Sequence, residues 1–167
     1  MQLRSLTLLS AITCGLVACS STPPAPPPPL NPGQTLPAKP SDVIVLPDGL
    51  TYKVLRAGTG TQHPALSDQV TANYSLWYPD GRMIESSCKP DGSCEPATFP
   101  LNVLIPGWQE AIPLMTVGET IDLWLPVQLA YGDPPRKPNR PFGPLVFEIQ
   151  LISIGAPPAA PAPEQQK

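Results

Sequence analysis

One histidine stands in the whole chain of 167 residues, His63, beside Pro64 in a loop-like stretch. With a single imidazole placed there, the chain offers no plausible Ser-His-Asp or Cys-His constellation. Soft metal ligands are equally scarce. Of the four cysteines, Cys14 and Cys19 belong to the N-terminal segment, which leaves Cys88 and Cys94 with no His nearby. Two such ligands do not make a zinc site. Positive charge is also short, for the formal net charge is −3. Without a basic surface to displace phosphate counterions, nucleic acid is not expected as a partner. Arg136, Lys137 and Arg140 are the local exception. The apolar run from Leu6 to Val17 falls short of the roughly 20 residues a transmembrane helix needs. No internal repeat is visible.

What the chain has in excess is proline, 27 residues of it, unevenly placed. Residues 1–18 read as an export signal, with Arg4 as the positive region and the Leu6–Val17 run as the apolar region. The run ends in Leu16-Val17-Ala18-Cys19, similar to the lipobox of bacterial lipoproteins, with Ser20-Ser21-Thr22 after it. On that reading Cys19 carries lipid and anchors the chain to a membrane. By analogy, Ser20 directs it to an outer membrane, facing the periplasm or the cell surface. The alternative is ordinary cleavage near Ala18 and a soluble secreted product. Residues 19–48 form a proline-rich linker, with Pro23-Pro24-Ala25-Pro26-Pro27-Pro28-Pro29 in extended polyproline form. At about 3.1 Å per residue it reaches at most on the order of 85 Å, as a membrane spacer or as a tail of no selected length. Residues 156–167 are a second disordered segment by composition.

Residues 49–155 make one domain. Val70, Ala72, Tyr74, Leu76 and Tyr78 alternate with Thr71, Asn73 and Ser75, the period of a half-buried strand. Pro79-Asp80-Gly81 turns the chain into a return strand over Arg82 to Ser87. Ile121, Leu123 and Leu125 alternate with Thr120 and Asp122, and Leu145, Phe147, Ile149 and Leu151 share another face. Leu50 to Leu55 and Thr98 to Asn102 are weaker strands. Helical spacing is confined to Trp108–Met115, where Pro113 removes a backbone bond toward Gln109. Several antiparallel strands and one short helix predict an α+β domain.

The segment Ile105-Pro106-Gly107-Trp108 places an apolar pair before a Pro-Gly turn and an indole. Proline suits the first helical turn, and glycine lets another backbone approach closely. With Tyr74, Asp80-Gly81, Ile84-Glu85-Ser86-Ser87, Pro96-Ala97-Thr98-Phe99, Leu114-Met115, Val117-Gly118, Ala130-Tyr131-Gly132 and Leu145-Val146-Phe147, it resembles the FKBP-type peptidyl-prolyl isomerases. The likeness is to their bacterial macrophage-infectivity-potentiator branch. These segments occur in family order over nearly the whole domain. The resemblance implies a strongly curved antiparallel sheet wrapped around the short helix. It also implies an apolar, aromatic pocket that accelerates X–Pro rotation without covalent chemistry, metal or cofactor. Trp108 is then the pocket floor, and Tyr74, Phe99, Leu104, Ile105 and Phe147 are its walls. Tyr131 offers a hydroxyl and Ile105 an N–H to substrate carbonyls. Each of Leu104, Ile105 and Phe147 taken alone reads equally as core. Clients are proline-containing polypeptides of the exported class, and macrolide inhibitors are potential ligands. The dimerising arm of some relatives gives way here to the linker, so a monomer is expected.

Two departures stand out. Ile84-Glu85 replaces the family's Phe-Asp, which removes one aromatic wall and lengthens the acid that faces the substrate carbonyl. The apolar pair expected before the last strand is replaced by Pro138-Asn139-Arg140-Pro141-Phe142, with Phe142 as its stand-in. If these changes remove turnover, the alternative is an isomerase-like binding module or chaperone. Arg136, Lys137 and Arg140 lie at the expected rim, read first as a solvated loop and second as a charge filter for substrates. Cys88 and Cys94 bracket Lys89-Pro90-Asp91-Gly92-Ser93, whose Asp-Gly turns the chain back. In an oxidising compartment they form a disulfide, worth roughly 2 kcal/mol for so short a loop. The spacing is not that of a redox Cys-X-X-Cys motif.

Overall fold

Each run of period-two alternation forms a strand, and together they build one antiparallel sheet. The computed structural model describes Leu36 and residues 39–157. The export signal, Cys19, the polyproline run and the tail beyond Pro157 lie outside the described residues. The strands are β1 (Ile44–Val45), β2 (Thr51–Arg56), β3 (Gln69–Trp77), β4 (Met83–Ser86), β5 (Ala97–Pro100), β6 (Thr120–Leu125) and β7 (Leu145–Gly155). Their order is β1-β2-β6-β7-β3-β4, with β5 also paired to β3. The two ends of that order do not pair, so the sheet stays open.

One correction concerns the segment expected as linker up to residue 48. Ile44 pairs with Tyr52 and Val45 with Thr51, which makes β1 an edge of the sheet. Lys53 Nζ holds Asp42 Oδ1 at 3.0 Å just before it. The ordered domain therefore begins inside that segment.

The helix α1 (Pro106–Ala111) starts where the Pro-Gly pair predicts. Ile105 is extended (φ −64°, ψ 151°), as the residue before a proline must be to avoid the ring. Pro106 occupies the first turn, where its missing N–H costs nothing. After Ala111 the backbone tightens into a 3-10 turn over Ile112–Leu114. Pro113 is the cause, since it cannot donate back along an α-helical ladder. Trp108, Ala111, Ile112 and Met115 point into the core and meet Leu76, Leu123, Phe147 and Ile149 of the sheet. Each large side chain so buried contributes about 1.5–3 kcal/mol.

Gly107 has a different reason from the one expected. A Cβ at that position would collide with the side chain of Leu125, which is 1% exposed. The glycine makes room for a packed leucine of β6, not for another backbone.

The hairpin between β3 and β4 closes with Gly81 at φ 88° and its N–H on the Tyr78 carbonyl at 3.0 Å. Cys88 and Cys94 are joined by a disulfide across the next turn. There Gly92 takes φ 84°, and Asp91 Oδ1 accepts from the Ser93 N–H at 2.8 Å.

Candidate active site

The N-terminal half of α1 drives Trp108 against the sheet, and four rings assemble around that placement. Tyr74 lies 5.6 Å from Trp108 between ring centroids, Phe147 5.5 Å and Phe99 6.1 Å. All three meet the indole edge-on, at 82°, 76° and 89°, the arrangement the ring quadrupoles favour. The register explains the grouping. Leu76 pairs with Phe147 and Tyr74 with Ile149, so β3 and β7 present these rings on the face that carries α1. Phe99 arrives from β5, opposite Val70.

Between these rings and the loops lies a cavity of about 430 Å³. Trp108, Tyr74, Phe99, Phe147, Leu104 and Ile105 line it as expected, together with Tyr131 and Glu85. Sequence reasoning missed Leu76, Val103 and Pro106 on the same lining. Leu76 shares the alternation of Tyr74, so the period that marked the strand also marked this wall.

Two expected residues are not on the lining. Ile84 sits at the irregularity between Glu85, which pairs with Leu76, and Met83, which pairs with Trp77. It is half-buried and packed against the core cluster, and it is not among the residues that line the cavity. Phe142 stands apart as well. It is 54% exposed, with its ring 5.9 Å from that of Tyr78, over a separate shallow depression beside the β3–β4 hairpin. It is not among the residues that line the aromatic cavity.

The polar groups of the site have defined states. The Tyr74 hydroxyl donates to Glu85 Oε1 at 2.6 Å. Burial and then the Glu85 charge hold that phenol well above its usual range, so it stays protonated. Burial also raises Tyr131, against the opposing charge of Arg140, and Tyr131 stays a hydrogen-bond donor at neutral pH. Ile105 caps α1, and a capping N–H has no partner within its helix. Gln109 Nε2 donates to the Leu104 carbonyl at 2.7 Å and holds this wall in place. Trp108 Nε1–H is buried with no acceptor among the described residues.

This is an aromatic enclosure with donors at its rim and no nucleophile. His63 is exposed and is not among the lining residues. Among the described residues, no cluster of three His, Cys, Asp or Glu is placed to hold a metal ion.

Comparison with known proteins accounts for this geometry. Residues 60–152 match the model of the FKBP-type peptidyl-prolyl cis-trans isomerases. The chain belongs to that family. It is 44% identical over 115 residues to the outer membrane protein MIP of Legionella longbeachae, covering 67% of this chain and 47% of that protein. The peptidyl-prolyl cis-trans isomerase Mip of Coxiella burnetii is likewise 44% identical over 115 residues. The chain thus spans about half the length of these curated relatives. Among solved structures, FkpA from Escherichia coli superposes with a TM-score of 0.63 at 35% identity, over 72% of this chain and 55% of that one. The FKBP fold is therefore shared, and the aromatic cavity lies within the matched span.

Proposed function

We propose that the domain is a peptidyl-prolyl cis-trans isomerase acting on exported polypeptides, and that lipid on Cys19 holds it at the cell envelope. One observation carries the first part. A cavity floored by Trp108 and walled by Tyr74, Phe99 and Phe147 suits a proline ring, and its rim presents the Tyr131 hydroxyl and the Ile105 N–H.

The barrier to X–Pro rotation is about 18–20 kcal/mol, because C–N resonance must be broken. Catalysis needs only that the twisted amide be held better than the planar one. The twisted form is less charge-separated, so an apolar enclosure favours it. Two donors at the rim grip the carbonyls flanking the proline and fix the axis of rotation. Each 1.36 kcal/mol of differential binding gives a tenfold faster rate. Glu85 is fixed by the Tyr74 hydroxyl and gives the rim its one carboxylate. A relative named as an outer membrane protein supports the envelope reading, as does the lipobox ending in Cys19.

The test is exchange kinetics on a proline peptide with the purified domain. The wild-type chain should accelerate isomerisation, and Trp108→Leu should lose most of that acceleration while remaining folded. Full activity in a folded Trp108→Leu protein would place the site elsewhere. For the anchor, Cys19→Ala should abolish metabolic labelling with a fatty acid, and persistent labelling would refute it.

A further inference from the structure

Three cations crowd the mouth of the cavity, and none has a carboxylate partner among the described residues. Arg136, Lys137 and Arg140 come from the flap between Tyr131 and Leu145 and contribute to the lining. The ion pairs among the described residues use Lys53, Arg82 and Lys89 instead. Glu85 is the one carboxylate on the lining, and it already accepts from the Tyr74 hydroxyl. The site is therefore locally positive in a chain of net charge −3.

The two arginines are held rather than loosely tethered. Arg136 Nη1 donates to the Ala130 carbonyl at 3.2 Å and Nη2 to the Gln128 carbonyl at 3.0 Å. Its own N–H donates to the Tyr131 carbonyl at 2.8 Å. The Arg140 guanidinium lies 5.6 Å from the centroid of the Tyr131 ring, a cation–π distance. At the base of the flap the Gly143 N–H donates to the Gly132 carbonyl at 3.1 Å. Carbonyls and a ring orient a cation without cancelling its charge. A solvated loop has no need of such anchors.

We propose that the flap cations select X–Pro segments that carry an Asp or Glu side chain within a few residues of the proline. The inference rests on the isomerase reading above and names its preferred substrate class. A peptide whose proline occupies the aromatic cavity brings its flanking side chains to the mouth. There an acidic one meets unpaired positive charge and a basic one is repelled.

The experiment compares three proline peptides that differ only at flanking positions, carrying Ala, Glu or Lys. Both catalytic efficiency and Kd are read, the latter from tryptophan fluorescence. At about 0.01 M salt the Glu peptide should exceed the Ala peptide by about three- to tenfold in efficiency or affinity, with the Lys peptide lowest. Raising salt to about 1 M, where the screening length is about 3 Å, should shrink the preference below twofold. Lys137→Glu with Arg140→Glu, checked by circular dichroism for folding, should invert the order. Arg136 stays in place because it holds backbone carbonyls. Equal values for the three peptides at low salt overturn the proposal, as does a preference that survives charge reversal. If the wild-type chain turns over none of them, the isomerase reading fails. The three Kd values then decide the charge preference alone.

Discussion

On one face of β3, β6 and β7 stand Leu76, Leu123, Phe147 and Ile149, packed on α1. On the other face the same strands carry Asn73, Ser75, Asp122, Glu148 and Gln150. Most of these polar residues are as buried as the leucines: Ser75 is 1% exposed, Asp122 2% and Gln150 2%. The second face is held by specific bonds. Asn73 Nδ2 donates to Gln150 Oε1 at 3.0 Å, and the Ser75 and Ser86 hydroxyls meet at 2.7 Å. Asn73 Oδ1 and Gln150 Nε2 remain buried without partners among the described residues. The contrast shows why the cavity belongs to the first face. Apolar walls lose only contact area when space opens between them, whereas buried polar groups demand a partner at every atom. The helix-bearing face therefore affords binding, and the opposite face makes stability depend on pH.

The sharpest way to break the comparison is a large-to-small change on the helix-bearing face. Leu123 is 0% exposed, between Tyr52 and Phe147 in register. Leu123→Ala should cost about 2–5 kcal/mol, read as a lowered denaturant midpoint with unchanged slope. A cost below 1 kcal/mol would mean that this face is less tightly packed than its contacts imply.

The opposite face should answer to protons. Asp122 and Glu148 are paired in register, with Lys53 opposite Asp122 on β2. Burial raises Asp122 to about 6, against the pull of Lys53. Burial and then the Asp122 charge raise Glu148 to about 7. Both carboxyls bind a proton more tightly in the folded chain than in the unfolded one. The contribution of these two carboxyls to stability is therefore full below about pH 4 and is lost as pH rises through about 7. Glu148→Gln should be more stable than the wild type at pH 8, by on the order of 1–2 kcal/mol, and should lose that advantage near pH 4. Unfolding midpoints at the two pH values check it, and an advantage equal at both would remove ionisation as the cause.

The two faces were not equally legible. Alternation over Thr120–Leu125 and Leu145–Leu151 marked the helix-bearing face, because apolar burial leaves a period-two record. The same alternation gave no sign that Asn73 and Ser75 are also buried, since a polar residue looks alike in water and in a hydrogen-bonded pair. β1 has two residues, too few for any period, and follows a proline-rich stretch. The aromatic set around Trp108 was readable from motif order. That Ile84 and Phe142 stand off the lining was not legible, because the register of β4 and the path of the flap depend on tertiary contacts. The charges of Arg136, Lys137 and Arg140 were visible, but the anchoring of the two arginines at the cavity mouth was not.

The smallest expected effect lies at the rim, where the apolar wall meets a single polar group. Tyr131 is half-buried, and burial keeps its phenol protonated, so it donates to a substrate carbonyl throughout the neutral range. Tyr131→Phe keeps the ring on the lining and the surface under Arg140, and removes one donor. A neutral hydrogen bond is worth about 0.5–1.5 kcal/mol, which converts to a two- to roughly twelvefold loss in catalytic efficiency. If the hydroxyl acts more strongly on the twisted amide than on the planar one, the loss falls on kcat. If it grips both equally, KM rises and kcat holds. The stability of Tyr131→Phe should match the wild type within about 0.5 kcal/mol, since that hydroxyl makes no internal bond that folding requires. Unchanged efficiency in the folded variant would remove Tyr131 from the carbonyl-binding role and leave the Ile105 N–H as the proposed donor.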